Sequence, residues 1–177
     1  MSHAMQTPAA EETEIRKDLD DLVQALRAKD IEALMAHYAA ATVVFDIRPP
    51  LRIESVDAYR TNFEAWFAPV DGSIDYEVHE LLVTVRDDVA FCHSLCHVRS
   101  KRTNGEKADY WVRVTSGLRK MSDRWMITHE HISMPIDLRT MQAQPEFQSC
   151  CADVSHDNKF LPALPVDRAR EEACRIR

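Results

Sequence analysis

Glycine is scarce in this chain, with only Gly72, Gly105 and Gly117 among 177 residues. Three glycines so far apart cannot form a phosphate-cradling loop, so nucleotide binding of the dinucleotide or P-loop kind has no support. No Gly-x-Ser-x-Gly phrase is present either, which removes the strained nucleophile turn of serine hydrolases. No run approaches the roughly 20 apolar residues that a membrane span needs. A basic-then-apolar leader is absent from the N-terminus. Basic clusters are also missing. The formal net charge is −7, and the pairs Lys101-Arg102 and Arg119-Lys120 are too small to offset it. Neither nucleic acid nor a membrane is therefore an expected partner. Cysteine is present but unsuited to pairing. Cys92 and Cys96 fall four apart in one strand pattern, with Cα atoms about 13 Å apart, beyond the reach of a disulfide. The odd count of 5 and the missing leader predict reduced thiols and a cytoplasmic location. Cys150-Cys151 with His156 matches no structural-zinc spacing.

What remains is an ordinary globular composition, 45% apolar and 29% charged, in a length that suits one domain. The first third has a helical period. Thr7-Pro8 reads as a helix start, and Ile15, Leu19, Leu22, Val23 and Leu26 recur at helical spacing up to about Ala28. Asp30 caps a short second helix carrying Ile31, Leu34, Met35 and Tyr38. Residues 42–47 are β-branched and aromatic, a short strand that Pro49-Pro50 stops. Ser55 caps a third helix with Val56, Tyr59, Phe63, Trp66 and Phe67 on its apolar side. The period then changes to two. Strands are predicted at 74–86, 89–102, 107–121 and 125–134, with Asn104-Gly105 as a hairpin turn. Helices first and a four-strand meander last predict an α+β architecture, the helices covering one face of a curved antiparallel sheet. After Pro135 the pattern dissolves. Residues 139–177 read as a partly irregular C-terminal extension, weakly helical at 167–176.

The last strand is the most informative. By strict alternation Trp125, Ile127, His129, His131 and Ser133 share one face, and Met126, Thr128, Glu130 and Ile132 share the other. The first face begins apolar and ends in two imidazoles and a hydroxyl. That pattern fits a strand leaving a core for a polar cavity, and it puts Glu130 outside.

This order of elements resembles the SnoaL-like and ketosteroid-isomerase-like branch of the NTF2-like superfamily. The phrases Trp111-Val112-Arg113-Val114-Thr115, Gly117-Leu118-Arg119-Lys120 and the 125–133 strand carry the resemblance, which spans residues 11–137. It implies an NTF2-like domain at 7–138: a cone, with a curved sheet closed by N-terminal helices and a pocket at the wide end. It also implies a homodimer through the outer sheet face. The fold hosts isomerases, cyclases, dehydratases, hydrolases and pure binding modules, so it does not by itself select a function. In ketosteroid isomerases a tyrosine closing the second helix is followed eight residues later by the aspartate that acts as general base. Tyr38 and Asp46 stand at that interval. The oxyanion-hole pair of those enzymes does not transfer. Residues 7–28 contain no tyrosine, and the position of the protonated acid falls near Arg113 or Thr115.

Each candidate carries a second reading. Asp46 is a base if it faces an apolar cavity; otherwise it partners Arg48 or Arg113, or sits at a solvated strand end. Asp109, Trp111, Arg113 and Thr115 share one strand face. That face is either a pocket wall, with Arg113 clamping a carboxylate or oxyanion, or the outer dimer face, with Tyr110, Val112 and Val114 turned inward. His93 and His97 join His129 and His131 in neighbouring strands. They either line a cavity by hydrogen bonding or gather a metal. Zinc demands tighter convergence, so no metal and no cofactor is expected. Trp66, Tyr59 and Phe63 supply an apolar lid or plain core.

The combined expectation is a homodimeric protein with a small-molecule pocket, performing isomerisation, cyclisation or dehydration on an apolar carbonyl compound. Asp46 would be the base, Arg113 would hold the oxyanion, and His129 or His131 would relay the proton. Tyr38, Trp66, His97, Asp109 and Trp111 would contact the substrate. The alternative is a non-catalytic ligand-binding, dimerisation or assembly module of the same fold.

Overall fold

In the computed structural model, residues 7–144 and 146 are described. Residues 167–176 and Cys150, Cys151 and Cys174 lie outside them. Three local caps set the helices. The Thr7 hydroxyl accepts the Ala10 N–H at 3.3 Å and opens α1 (Pro8–Ala28). Asp30 accepts the Ala33 N–H at 3.1 Å and opens α2 (Ile31–Met35). Ser55 accepts the Ala58 N–H at 3.1 Å and opens α3 (Val56–Phe67). Each satisfies a backbone donor that the first helical turn leaves without a partner.

Between α2 and α3 runs β1 (Tyr38–Phe45), which starts earlier than its β-branched stretch implied. After α3 come β2 (Val70–Arg86), β3 (Val89–Arg102), β4 (Lys107–Met121) and β5 (Arg124–Ser133). A two-residue pair, β6 (Ile136–Asp137) and β7 (Gln142–Ala143), follows. The main sheet has the order β1-β5-β4-β3-β2. Pairing is antiparallel from β2 to β5, but β1 lies parallel to β5, so the curved sheet is mixed rather than wholly antiparallel. A parallel partner needs a long crossover, and α3 with β2 to β4 supplies it.

One irregularity decides the site. Gly117 of β4 pairs with His129, but Leu118 pairs with Ile127, so Thr128 is an extra residue in β5. Its hydroxyl donates to the Gly117 carbonyl at 3.2 Å. This β-bulge absorbs one residue and breaks the sequence alternation. Trp125 and Ile127 face the helices before the bulge; Glu130 and Ile132 face them after it.

The helices cover this inner face. Ile15, Leu22 and Leu26 of α1 and Tyr59, Phe63 and Phe67 of α3 pack with Val44, Cys96, Val98, Val112, Leu118 and Ile127 of the sheet. At one sheet end, Glu11 accepts the Trp125 indole N–H at 2.8 Å and the Lys120 ammonium at 2.8 Å, fastening α1 to β4 and β5. Among the described residues no helix is long and apolar enough to cross a membrane.

Candidate functional site

The sheet's inner face and the helices do not fill all the space between them. A cavity of about 230 Å³ remains. Its walls come from α1 (Leu22, Leu26), the end of β1 and the following loop (Asp46, Ile47, Arg48), α3 (Tyr59, Asn62, Phe63, Trp66) and the sheet (Tyr76, Val98, Tyr110, Val112, Val114, Glu130, Ile132). One end is deep, where Tyr38, Tyr59 and Glu130 are all buried. The other end opens to solvent between Ile47, Ala65 and Arg102, all exposed.

The deep end holds a hydrogen-bonded acid. Glu130 is 5% exposed, and its Oε2 accepts the Tyr38 hydroxyl at 3.0 Å and the Tyr59 hydroxyl at 2.9 Å. Its Oε1 accepts the Ser116 hydroxyl at 3.2 Å. The two tyrosine rings meet edge to face at 5.2 Å, which holds both hydroxyls on one oxygen. Burial raises the Glu130 carboxyl above the usual range. The three hydroxyls oppose that, and the charge of Asp46 adds to it. Burial, with the adjacent Glu130, likewise lifts both tyrosine hydroxyls well above their ordinary value. Desolvation outweighs the three hydroxyls.

Nearer the opening, Asp46 ends its strand half-buried. Its Oδ1 accepts the Arg48 backbone N–H at 3.1 Å and its Oδ2 accepts the Asn62 side-chain amide at 3.0 Å. The Arg48 guanidinium donates to the Asn62 backbone carbonyl at 2.6 Å and to its side-chain carbonyl. Asn62 therefore joins the loop to α3 and orients the Asp46 carboxylate. The cavity thus presents two carboxyl groups in unlike settings, one fully buried among hydroxyls and one held by amides.

Of the residues singled out from sequence, Asp46, Tyr38, Tyr59, Phe63 and Trp66 line this cavity. His97, Asp109, Trp111, Arg113, His129 and His131 do not. Arg113, Asp109, Trp111 and Thr115 lie on the outer face of β4, because Tyr110, Val112, Val114 and Ser116 take the inward positions. His97 is outward too, stacked on Trp111 with centroids 4.5 Å apart and bonded to Asp109 at 2.7 Å. His129 and His131 are turned outward by the bulge at Thr128. The first bonds the Val43 carbonyl at 2.9 Å, and both meet the exposed Phe45 ring. Among the described residues, no three His, Cys, Asp or Glu gather around a common point that could hold a metal.

Sequence reasoning missed Glu130, Asn62 and Arg102, and it held Arg48 and an inward Tyr110 only as second readings. A usable signal for Glu130 existed in Gly117, since a glycine inside a strand often marks a bulge on the pair. The more apolar side of β4 also pointed to Tyr110, Val112 and Val114 as the inner set. Nothing local links Asn62 to Asp46, because that contact is made only by tertiary packing.

A SnoaL-like domain matches residues 15–137 of the chain. An NTF2-like protein of unknown function from Pseudomonas putida is 30% identical and superposes with a TM-score of 0.72, over 82% of this chain and 100% of that one. A ketosteroid isomerase-like protein from Erwinia carotovora is 20% identical, with a TM-score of 0.59 over 68% of this chain and 92% of its own. The association domain of CaMKII from C. elegans is 19% identical, with a TM-score of 0.58 over 71% and 97%. The last two show likeness of fold alone. None of the curated proteins matches the chain.

Proposed function

The chain belongs to the SnoaL-like family of NTF2-like folds, and on that premise we propose that its cavity carries out proton transfer on a small apolar carbonyl compound. The reaction would be an isomerisation, cyclisation or dehydration. One observation carries the reading: Asp46 and Glu130 line the same cavity with opposite surroundings. In the proposed step the Asp46 carboxylate takes a proton from the carbon beside the carbonyl, and the electron pair moves onto the carbonyl oxygen. A protonated Glu130 donates its one O–H to that oxygen in a water-poor setting, while Tyr38 and Tyr59 hold the carboxyl in place by donating to it. Asp46 then returns the proton to a different carbon, or gives it to a hydroxyl on the next carbon, which the returning electron pair expels as water. Glu130 takes the place that sequence reasoning offered to Arg113 and the histidines, while Trp66 and Tyr38 act as ligand contacts.

The test is turnover of a β,γ-unsaturated ketone such as 3-cyclohexenone, followed by growth of conjugated-enone absorbance. Asp46→Asn is expected to lower the rate by about 10²–10⁴-fold. Full activity in that variant would remove Asp46 as the base.

The outer sheet face favours a second role, self-association. Phe45, Leu82 and Phe91 are 39%, 47% and 49% exposed there, on three different strands. Exposed rings and aliphatic side chains set among polar groups suit a homodimer interface, and the fold is shared with an association domain. Light scattering of the purified chain should give a dimer, and Phe91→Glu should give a monomer. A wild-type monomer at micromolar concentration would overturn the dimer.

A further inference from the structure

We infer that the cavity's ligand is a monoanion, a small apolar ketone whose own carboxylate seats at the opening between Arg48 and Arg102. The inference deepens the proton-transfer reading by naming the ligand class. The two guanidiniums come from different walls, Arg48 from the loop after β1 and Arg102 from the last residue of β3, and both line the cavity. Tyr110 lines the same cavity. Burial pushes its hydroxyl up, Arg48 pulls it down, Asp46 pushes it up again and Arg102 pulls it down. The Arg48 fork uses one nitrogen on Asn62. The Arg102 side chain forms no ion pair or hydrogen bond among the described residues.

Charge balance points the same way. The whole chain carries a formal −7, yet the cavity's charged lining is Arg48 and Arg102 against Asp46 and Glu130. Glu130 lies at the deep end, enclosed by three hydroxyls, so the groups at the opening are the two guanidiniums and the Asp46 carboxylate, which is already held by the Arg48 N–H and Asn62. A guanidinium fork matches the planar geometry of a carboxylate.

Volume also fits. The volume of about 230 Å³ equals about eight waters at ~30 Å³ each. That suits a ligand on the order of ten non-hydrogen atoms: one ring and a short ketone-bearing chain that ends in the carboxylate.

The probe is 3-benzoylpropionate beside its methyl ester, which keeps the ring and ketone and removes the charge. Calorimetric titration of the full chain should show the acid binding about tenfold or more tightly than the ester. Arg102→Gln should weaken the acid by a similar factor and leave the ester unchanged. Arg102 is exposed, so the variant should keep the wild-type melting temperature. Equal binding of acid and ester, no binding of the acid at millimolar concentration, or an unchanged acid affinity in Arg102→Gln would each overturn the inference. Because the readout is binding, it separates from the catalytic reading. Acid preference with full turnover in Asp46→Asn sinks only the base, whereas lost acid preference with Asp46-dependent turnover sinks only the carboxylate seat.

Discussion

The two faces of one sheet differ in how they treat polar groups. On the inner face the polar set is small and closed: Glu130 takes hydrogen bonds from Tyr38, Tyr59 and Ser116, away from water. On the outer face it is large and open, with His79 and His97 against Trp111, Arg99 on Asp75 and Glu77, and His129 and His131 beside Phe45. Polar residues are thus more numerous on the face turned away from the cavity. Counting imidazoles and guanidiniums points to that outer face, because water and ion pairs solvate them cheaply there. A single buried carboxyl is the more telling sign, since it needs several partners to exist there at all.

That contrast can be tested by substitution, and the inner face should give the largest changes. Tyr59 is 1% exposed, packs on Tyr38 and Phe63, and donates to Glu130. Tyr59→Ala should cost about 3–5 kcal/mol in urea unfolding; a loss below ~1 kcal/mol would mean the cluster does not hold the fold.

Glu130→Gln comes next, and its effect should depend on pH. The raised carboxyl means the folded state keeps its proton above about 4.5, where an unfolded glutamate gives it up. Stability from this group is therefore present at acid pH and lost as pH rises through the folded-state value. Glu130→Gln, which also misplaces one hydrogen-bond acceptor, should cost about 1–3 kcal/mol near pH 4. The gap to wild type should narrow toward pH 8. A gap that widened with pH would mean Glu130 is ionised and stabilising in the fold.

Gly117 probes the bulge from the outer side. A Cβ there would meet His129 Cβ at 3.7 Å, ordinary contact, and no positive φ is required. Gly117→Ala should then stabilise by about 0.4–1 kcal/mol through the unfolded chain. Destabilisation instead would show that the bulge depends on glycine. The smallest effect belongs to His131, exposed on the outer face. His131→Ala should change stability by no more than about 0.5 kcal/mol and leave ketone turnover intact. A large loss of turnover would restore the histidine to the site.

Much of the fold was legible because its signals are local. Thr7, Asp30 and Ser55 cap the helices that their sequence positions predicted, and β3 and β4 run over the predicted residues 89–102 and 107–121. The parallel pairing of β1 on β5 was not legible, since partner choice depends on where a long crossover returns. The site was harder still. Asp46, Tyr38 and Trp66 lie at the cavity, but sidedness failed for β5 because period-two reasoning assumes an unbroken ladder. It failed for β4 because both of its faces are amphipathic, with Tyr110 and Val112 on one side and Trp111 and Arg113 on the other. Arg48, Asn62 and Arg102 belong to a loop, a helix and a strand end, and only folding brings them to one opening.

The surplus residue in β5 has a consequence for comparing relatives. The ladder is in step on both sides of Thr128, so a homologue lacking that codon could keep the same pairing and the same buried acid. Aligned without a gap at 128, its acid would fall in the column of His129. A shared carboxylate would then read as a replacement, and two proteins with one chemistry would be filed apart.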